Sequence, residues 1–233
     1  MKYFAFFLLA ISLKANAQDS TRQKTSWHMT GSLGFNMNHV RGSMQDYTEK
    51  WSAQFPNSTP EQKNGGGFQF ATTVQKDVGN WLYLKSGFGL VQKNVNPEEN
   101  TYILYKDSLN TGYIFIPVLI GAQTFLDSKR TISLFCETGI LTNFAISDQT
   151  YSGPDRVDFS KSSVVATYQI SAGIGYVVGS NATLILQYAY SMDVSPAYKE
   201  TLYYGAPNQK FLYGDYKYHT SSLSLGLKMG LHS

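Results

Sequence analysis

The sequence contains a single cysteine, Cys136, and charged residues make up only 15% of its 233 positions. One cysteine cannot form an internal disulfide, which excludes a disulfide-stapled scaffold. No run of about eighteen apolar residues is present, which excludes a membrane-spanning helix. Lys and Arg number 19 against 16 acidic residues, so the sequence lacks the basic excess typical of nucleic-acid binders.

Aromatic residues and glycine are abundant instead, with 17 tyrosines, 14 phenylalanines and 20 glycines. An aromatic content this high argues against a disordered chain. The length suits a single domain, because all-β barrels commonly use this much chain as one unit. The composition therefore predicts one compact β domain.

The first 17 residues have the parts of a secretory signal peptide. Lys2 gives a positive start, residues 4–13 are apolar, and Ala15–Ala17 is a small-residue exit. We expect cleavage after Ala17, followed by a short periplasmic segment over residues 18–26. Removal of Lys2 and Lys14 lowers the formal net charge from +3 to +1.

From residue 27 onward, apolar and polar residues alternate with a period of two, which is typical of strands with two unlike faces. Residues 27–38 place Leu33 and Phe35 on one face and Ser32 and Asn36 on the other. The pattern predicts eight strands, over residues 27–38, 66–78, 81–91, 114–125, 132–143, 164–178, 182–192 and 216–231.

The connections between these strands alternate in length. Short turns are expected at residues 79–80, 126–130 and 179–181. Long loops are expected at residues 39–64, 92–113, 144–163 and 193–215. This alternation puts all the long loops at one end of an up-and-down meander, as in bacterial outer-membrane barrels. We therefore predict an all-β fold, an eight-stranded antiparallel transmembrane barrel over residues 27–233.

The side chains indicate which face of the barrel contacts water. The polar faces are mostly Ser, Thr, Gly, Gln and Asn, which suit a narrow lumen, and the other faces form a continuous apolar surface that suits lipid. Tyr168 and Tyr176 lie near opposite ends of one strand, as aromatic girdles require. The alternative is a soluble periplasmic, lipocalin-like barrel whose apolar faces point inward around a hydrophobic ligand.

Three segments carry a family resemblance: Tyr113–Gly121, Phe135–Gly139 and Gly173–Tyr176. With the leader, they resemble the PorT-like outer-membrane β-barrel domain family, in which an aromatic-x-Ile-Pro-Leu type of strand follows the second long loop. The resemblance implies an eight-stranded outer-membrane barrel for essentially the whole mature chain. A few members of that family assist secretion. The end, Lys228–Ser233, departs from many outer-membrane barrels in lacking a final aromatic residue.

Lys85 and Glu137 are charged residues on the polar faces of two predicted strands that flank a third. Gln123, on the strand between them, is placed to bridge the two. An isolated charge in so narrow an interior would be unfavourable, so we predict a lumen ion pair. The pair would fill the lumen of an eight-stranded barrel and prevent a general diffusion pore.

The last long loop is rich in aromatic residues among glycine and proline, a composition that suits adaptable contacts. The candidate contact residues are Tyr198, Tyr203, Tyr204, Phe211 and Tyr213. Possible partners besides outer-membrane lipid are a glycan or another envelope protein, and no nucleic acid is expected.

No pattern in the sequence predicts a catalytic residue, a metal site or a bound cofactor. His39 and His219 would meet at the loop end of the closed barrel, but no carboxylate or cysteine accompanies them at a ligand spacing. The favoured role is structural or interactive: envelope integrity, adhesion, or an accessory function in another envelope complex. A lipid-modifying barrel enzyme is a further alternative, although no Ser-His-acid arrangement can be selected from the sequence.

Overall fold

The computed structural model describes residues 26–42, 65–95, 109–146, 157–179, 181–203 and 210–231. The predicted signal peptide, its cleavage after Ala17 and all of segment 18–26 except Ser26 lie outside these residues. Within the described ranges, no helix is long and apolar enough to cross a membrane.

The described chain is all-β. Its ten strands are β1 (Trp27–Gly42), β2 (Gly65–Asp77), β3 (Leu82–Val95), β4 (Leu109–Phe125), β5 (Ile132–Ala145), β6 (Val157–Lys161), β7 (Val164–Val178), β8 (Ala182–Asp193), β9 (Tyr198–Tyr203) and β10 (Lys210–Leu231). Eight of them pair in the order β1, β2, β3, β4, β5, β7, β8 and β10, and β10 pairs back with β1. The predicted closed, eight-stranded antiparallel barrel is therefore confirmed.

Strands β6 and β9 fall in regions that the sequence predicted as loops. β9 pairs with the first residues of β10, Lys210 to Tyr216, and β6 pairs with β9. These three pieces, residues 157–161, 198–203 and 210–216, form what we call the outer ribbon. β3 and β4 are also longer than predicted, reaching Val95 and beginning at Leu109, so the long loop expected at residues 92–113 is shorter.

The short connections end the strands with turn geometry. Gly79 and Gly179 have positive φ angles of 93° and 76°, which glycine adopts without a Cβ clash. In the turn between β4 and β5, the Asp127 carboxylate accepts hydrogen bonds from the backbone N–H groups of Ile132 and Thr131. These two donors hold the pKa of Asp127 below its usual range.

The register of the ladders fixes the shape of the barrel. A path through paired residues once around the barrel runs Trp27, Lys76, Leu84, Ile120, Thr138, Ile170, Tyr190, Ser221 and Met37. It returns to β1 ten residues above its start. A displacement of about 33 Å over eight strands spaced about 4.8 Å apart gives a strand tilt of about 40° and a backbone diameter of about 16 Å.

The apolar faces of the strands point outward. Leu33, Phe68 and Leu225 are 67%, 70% and 68% exposed, which contradicts the soluble alternative, because that alternative needs these faces inside. Outward aromatic residues occur in two bands. Trp27, Trp81 and Tyr176 lie at the end with the short turns, and Phe35, Phe68, Tyr168 and Tyr190 lie toward the loops. This arrangement is typical of a barrel whose outer surface contacts lipid.

Candidate functional site in the barrel lumen

Two layers of charged and polar side chains cross the lumen. The turn-side layer, nearer the short turns, consists of Lys85, Glu137, Tyr83, Ser171 and Gln187. Lys85 Nζ lies 2.8 Å from Glu137 Oε1, and both side chains are nearly buried. Tyr83 donates to the same oxygen at 2.9 Å, and Gln187 and Ser171 donate to Oε2 at 2.8 and 3.3 Å. The carboxylate thus has four donors from three strands, which compensates its burial.

The expected bridging role of Gln123 is wrong. Gln123 Oε1 accepts a hydrogen bond from Lys228 Nζ at 3.2 Å, at the turn end of the lumen. Lys85 and Glu137 contact each other directly because the register brings Tyr83 opposite Gly121 and Gly121 opposite Glu137. Gly121 has no side chain, so the space across β4 is open to Lys85 and Tyr83.

The loop-side layer, nearer the long loops, consists of Lys93, Asp193, Thr167, Tyr113 and Tyr218. Lys93 Nζ lies 3.0 Å from Asp193 Oδ1, and both side chains are buried. Asp193 also accepts from Thr167 Oγ1 at 2.7 Å and from the backbone N–H of Tyr218 at 2.9 Å. The ammonium lies 5.4 and 5.2 Å from the ring centres of Tyr113 and Tyr218, within range of cation–π attraction.

Sequence reasoning missed the pair formed by Lys93 and Asp193, because both residues fall in segments predicted as loops. A signal was available. Lys93 continues the inward alternation of Lys85, Gly89 and Val91 by one more step. Asp193 likewise follows the inward positions of β8, so extending the predicted strands by two residues and by one residue, respectively, would have placed both charges in the lumen.

Between the two layers the lumen is mostly filled. β4 and β5 contribute apolar side chains there, Phe115, Leu119 and Leu141, all of which are buried. The space that remains is a cavity of about 70 Å³. Phe115, Leu119 and Leu141 form its apolar wall, and Thr, Ser and Gln side chains line the opposite wall. Asn143 lines it, and within the described part of the chain its Oδ1 has no hydrogen-bond partner. A cavity of this size and polarity accommodates a few water molecules.

Tyr198 does not belong to the contact surface that the sequence predicted in the last loop. Tyr198 is buried, forms a hydrogen bond with Thr111 and packs edge-on against Tyr218, so it closes the lumen instead of contacting a partner. The other candidates lie elsewhere. The backbones of Tyr203, Phe211 and Tyr213 belong to the outer ribbon, their side chains lie outside the described positions, and Tyr204 lies entirely outside the described residues.

At the turn end, Ser26, His28 and Asp77 converge. Asp77 Oδ2 lies 2.5 Å from Ser26 Oγ and 3.0 Å from His28 Nε2, and Ser26 Oγ lies 3.0 Å from the same His28 nitrogen. A catalytic triad instead places its hydroxyl and carboxylate on opposite ring nitrogens. These contacts therefore link the start of β1 to the end of β2 and do not form a catalytic triad.

His39 and His219 are direct partners in the register of β1 and β10, and His219 Nδ1 lies 2.6 Å from the Tyr190 hydroxyl. Across the described ranges, no three His, Cys, Asp or Glu side chains are close enough together to hold a metal ion.

The comparisons with known proteins address the fold. No family model matches the sequence, and no curated protein matches it. OprG from Pseudomonas aeruginosa, an outer-membrane protein, superposes with a TM-score of 0.53 at 8% identity, covering 91% of this chain and 98% of that one. The fold is that of an outer-membrane β-barrel.

Two further solved barrels match with lower TM-scores. Neisserial surface protein A (NspA) matches at 0.49 and 12% identity, over 89% of this chain and 99% of that one. The outer membrane protease OmpT of Escherichia coli matches at 0.44 and 11% identity, over 91% and 100%. At identities this low, a structural match concerns the fold alone. The role of this chain has to be argued from its own residues.

Proposed function

We propose that this chain is a closed barrel of a bacterial outer membrane that acts through its surface, in envelope integrity, adhesion or as an accessory to another envelope complex. The proposal rests on the observation that the turn-side layer and the loop-side layer both cross the lumen. Two ion pairs, Lys85 with Glu137 and Lys93 with Asp193, traverse an interior whose backbone diameter is about 16 Å. A lumen so filled gives no aqueous path for general diffusion.

The surface most suited to a partner is the outer ribbon, which extends β10 beyond the ladder that closes the barrel. Tyr203, Phe211 and Tyr213 lie on this ribbon, and tyrosine-rich segments make adaptable contacts. We propose that these residues contact an envelope glycan or another envelope protein. Tyr198 is not part of this surface, because its ring is buried in the lumen.

A non-catalytic role is part of the same proposal. It is supported by the arrangement of Ser26, His28 and Asp77, which share one histidine nitrogen and leave the hydroxyl without a separate base. An unchanged lipid profile in a deletion strain is the expected result. Accumulation of an unprocessed lipid would contradict it and favour a lipid-modifying enzyme.

Membership of the PorT-like family is likewise a proposal, supported by the segments Tyr113–Gly121 and Gly173–Tyr176.

Single-channel recording in planar bilayers tests the closed lumen. The wild-type protein is expected to give no stable conductance steps in concentrated potassium chloride. Glu137→Ala and Asp193→Ala are each expected to remain closed, because the other layer still blocks the lumen, and the double variant is expected to conduct. Wild-type steps as large as those of a general porin would contradict the proposal.

The surface role needs a separate experiment. Replacing Tyr203, Phe211 and Tyr213 with serine changes the outer ribbon without removing buried Tyr198. We expect the triple variant to fold, as shown by heat-modifiable migration, and to lose binding of protein-containing vesicles to envelope glycan. Binding equal to that of the wild type would assign these residues to packing of the loops instead.

A further inference from the structure

Lys228, on the inward face of β10 near the short turns, has a polar neighbour but no carboxylate partner among the residues described. Its Nζ donates to Gln123 Oε1 at 3.2 Å. Lys85 and Lys93, by contrast, lie 2.8 and 3.0 Å from a carboxylate. A partly buried ammonium is unfavourable without a compensating anion. Lys85 and Lys93 each have a carboxylate as that anion, and among the described residues Lys228 has none.

The nearby carboxylates already have donors. Asp77 accepts from Ser26 and Gln75 and contacts His28. Glu137 is held by Lys85 and by three further side-chain donors. Neither carboxylate can turn to Lys228 without giving up bonds that compensate its own burial, so among the described residues no carboxylate is free to pair with Lys228.

Other polar side chains lie beside Lys228. Gln123 uses its carbonyl oxygen for Lys228, and within the described residues its amide N–H groups form no hydrogen bond. Thr30 and Thr183 lie directly opposite Lys228 in the two adjoining strands.

The backbone leaves room beside the ammonium. Gly226 and Gly230 occupy the inward positions on either side of Lys228 along β10. A Cβ placed on Gly230 would meet no atom nearer than His28 Nδ1, at 3.8 Å. At Gly226 the same Cβ would lie 3.1 Å from the carbonyl oxygen of Gly31, so the open side of Lys228 is the one toward Gly230 and the turn end.

This end of the lumen is also the more open one. The side chains of His28 and Asp77 are 21% and 17% exposed, whereas those of Lys93 and Asp193 in the loop-side layer are 4% and 0% exposed. Because the loop-side layer blocks the approach from the loops, we expect a solute to reach Lys228 from the turn end.

We propose that Lys228 and Gln123 form a binding site for a small oxyanion, a phosphate or a carboxylate, that enters from the turn end of the barrel. The ammonium supplies the charge, and the amide N–H groups of Gln123 supply directed hydrogen bonds to the oxygens. The site is independent of the proposed surface role, because it lies at the opposite end of the molecule from the outer ribbon.

The test uses the mature protein refolded in a non-ionic detergent that carries no phosphate. Inorganic phosphate is titrated against chloride at constant ionic strength, and the urea midpoint of unfolding is measured. Phosphate is expected to raise the midpoint of the wild type, since a ligand that binds only the folded state stabilises it. Lys228→Met is expected to weaken the apparent affinity by about tenfold or more. Lys129→Met, in the exposed turn at the same end, is the matched control and is expected to respond like the wild type.

A second variant keeps the test decisive if Lys228→Met fails to fold. Gln123→Glu places a carboxylate beside the lysine and is expected to retain the barrel while removing the phosphate response. The absence of a wild-type response to both free phosphate and phosphatidylglycerol, or an equal response in the wild type and either lumen variant, overturns the proposal. A Lys228-dependent response that requires added phosphatidylglycerol, and not free phosphate, would identify the oxyanion as a lipid headgroup.

Discussion

The inward and outward faces of the same strands are specified in different ways. On β10, Leu223, Leu225 and Leu227 point outward and are exposed, and none of them needs a directed partner. On the inward face of the same strand, Thr220 donates to Asn38 Oδ1 at 3.0 Å and Lys228 donates to Gln123. The outer face thus requires only an apolar composition, while the inner face requires particular residues opposite one another.

The glycines show the same difference. A Cβ on inward Gly121 would lie 2.2 Å from the ring of Tyr83, and one on Gly89 would lie 2.3 Å from the ring of Phe115. On the outward face, a Cβ on Gly31 would meet no atom within 4 Å, although one on Gly66 would lie 2.9 Å from the ring of Phe35. Gly121 and Gly89 thus make space inside the barrel for an aromatic ring of a neighbouring strand, and Gly31 has no such role.

The largest expected effect comes from breaking the loop-side layer. Asp193→Ala leaves Lys93 as an unpaired charge in a site closed by Tyr113 and Tyr218, so we expect a loss of about 3–5 kcal/mol in the free energy of unfolding. Glu137→Ala is expected to cost less, because the Lys85 side chain is 9% exposed and that of Lys93 only 4%, so water reaches an unpaired Lys85 more readily. Urea unfolding in lipid vesicles, followed by tryptophan fluorescence, measures both losses.

A double variant serves as the control for that ranking. Lys93→Met combined with Asp193→Asn removes both charges, and the asparagine oxygen still accepts from the Tyr218 N–H. We expect it to recover most of the stability lost in Asp193→Ala. A larger loss for Glu137→Ala than for Asp193→Ala would contradict the difference between the two layers.

The period of two sufficed to predict the barrel, its outward apolar face and the approximate positions of its eight strands, since each residue's face follows from parity alone. It did not predict β6 or β9. The polar faces led to the expected pair of Lys85 and Glu137, but not to the side chains around it. The position of Gln123 between two charged strands suggested a bridge, but Gly121 is what lets Lys85 and Tyr83 reach Glu137. Tyr198 looked like a surface residue by composition, and only the pairing of β9 with β10 places its ring inside.

The second prediction tests the outer face. Ser221 is paired with Met37, and Leu225 lies four residues closer to the turn end on the same strand as Ser221. The apolar band between the levels of Trp27 and Met37 is roughly 25 Å high, and Leu225 lies about halfway up it. Leu225→Arg is therefore expected to cost about 2–4 kcal/mol, and Met37→Arg, near the loop-side interface, about 0–1 kcal/mol. Unfolding in vesicles measures both. Equal losses at the two depths would show that these side chains do not face lipid as the barrel requires.

The smallest expected effect compares one added methyl group on the two faces. Gly121→Ala forces the Tyr83 ring away from β4 and weakens its hydrogen bond to Glu137, so we expect a loss of about 1–3 kcal/mol. Gly31→Ala adds the same methyl group toward lipid and restricts the unfolded chain, so its stability should equal or slightly exceed that of the wild type. The two urea midpoints, measured in the same vesicles, should therefore move in different directions. If Gly31→Ala is destabilised as much as Gly121→Ala, the loss reflects strand backbone in general and not the pairing of a glycine with an aromatic ring.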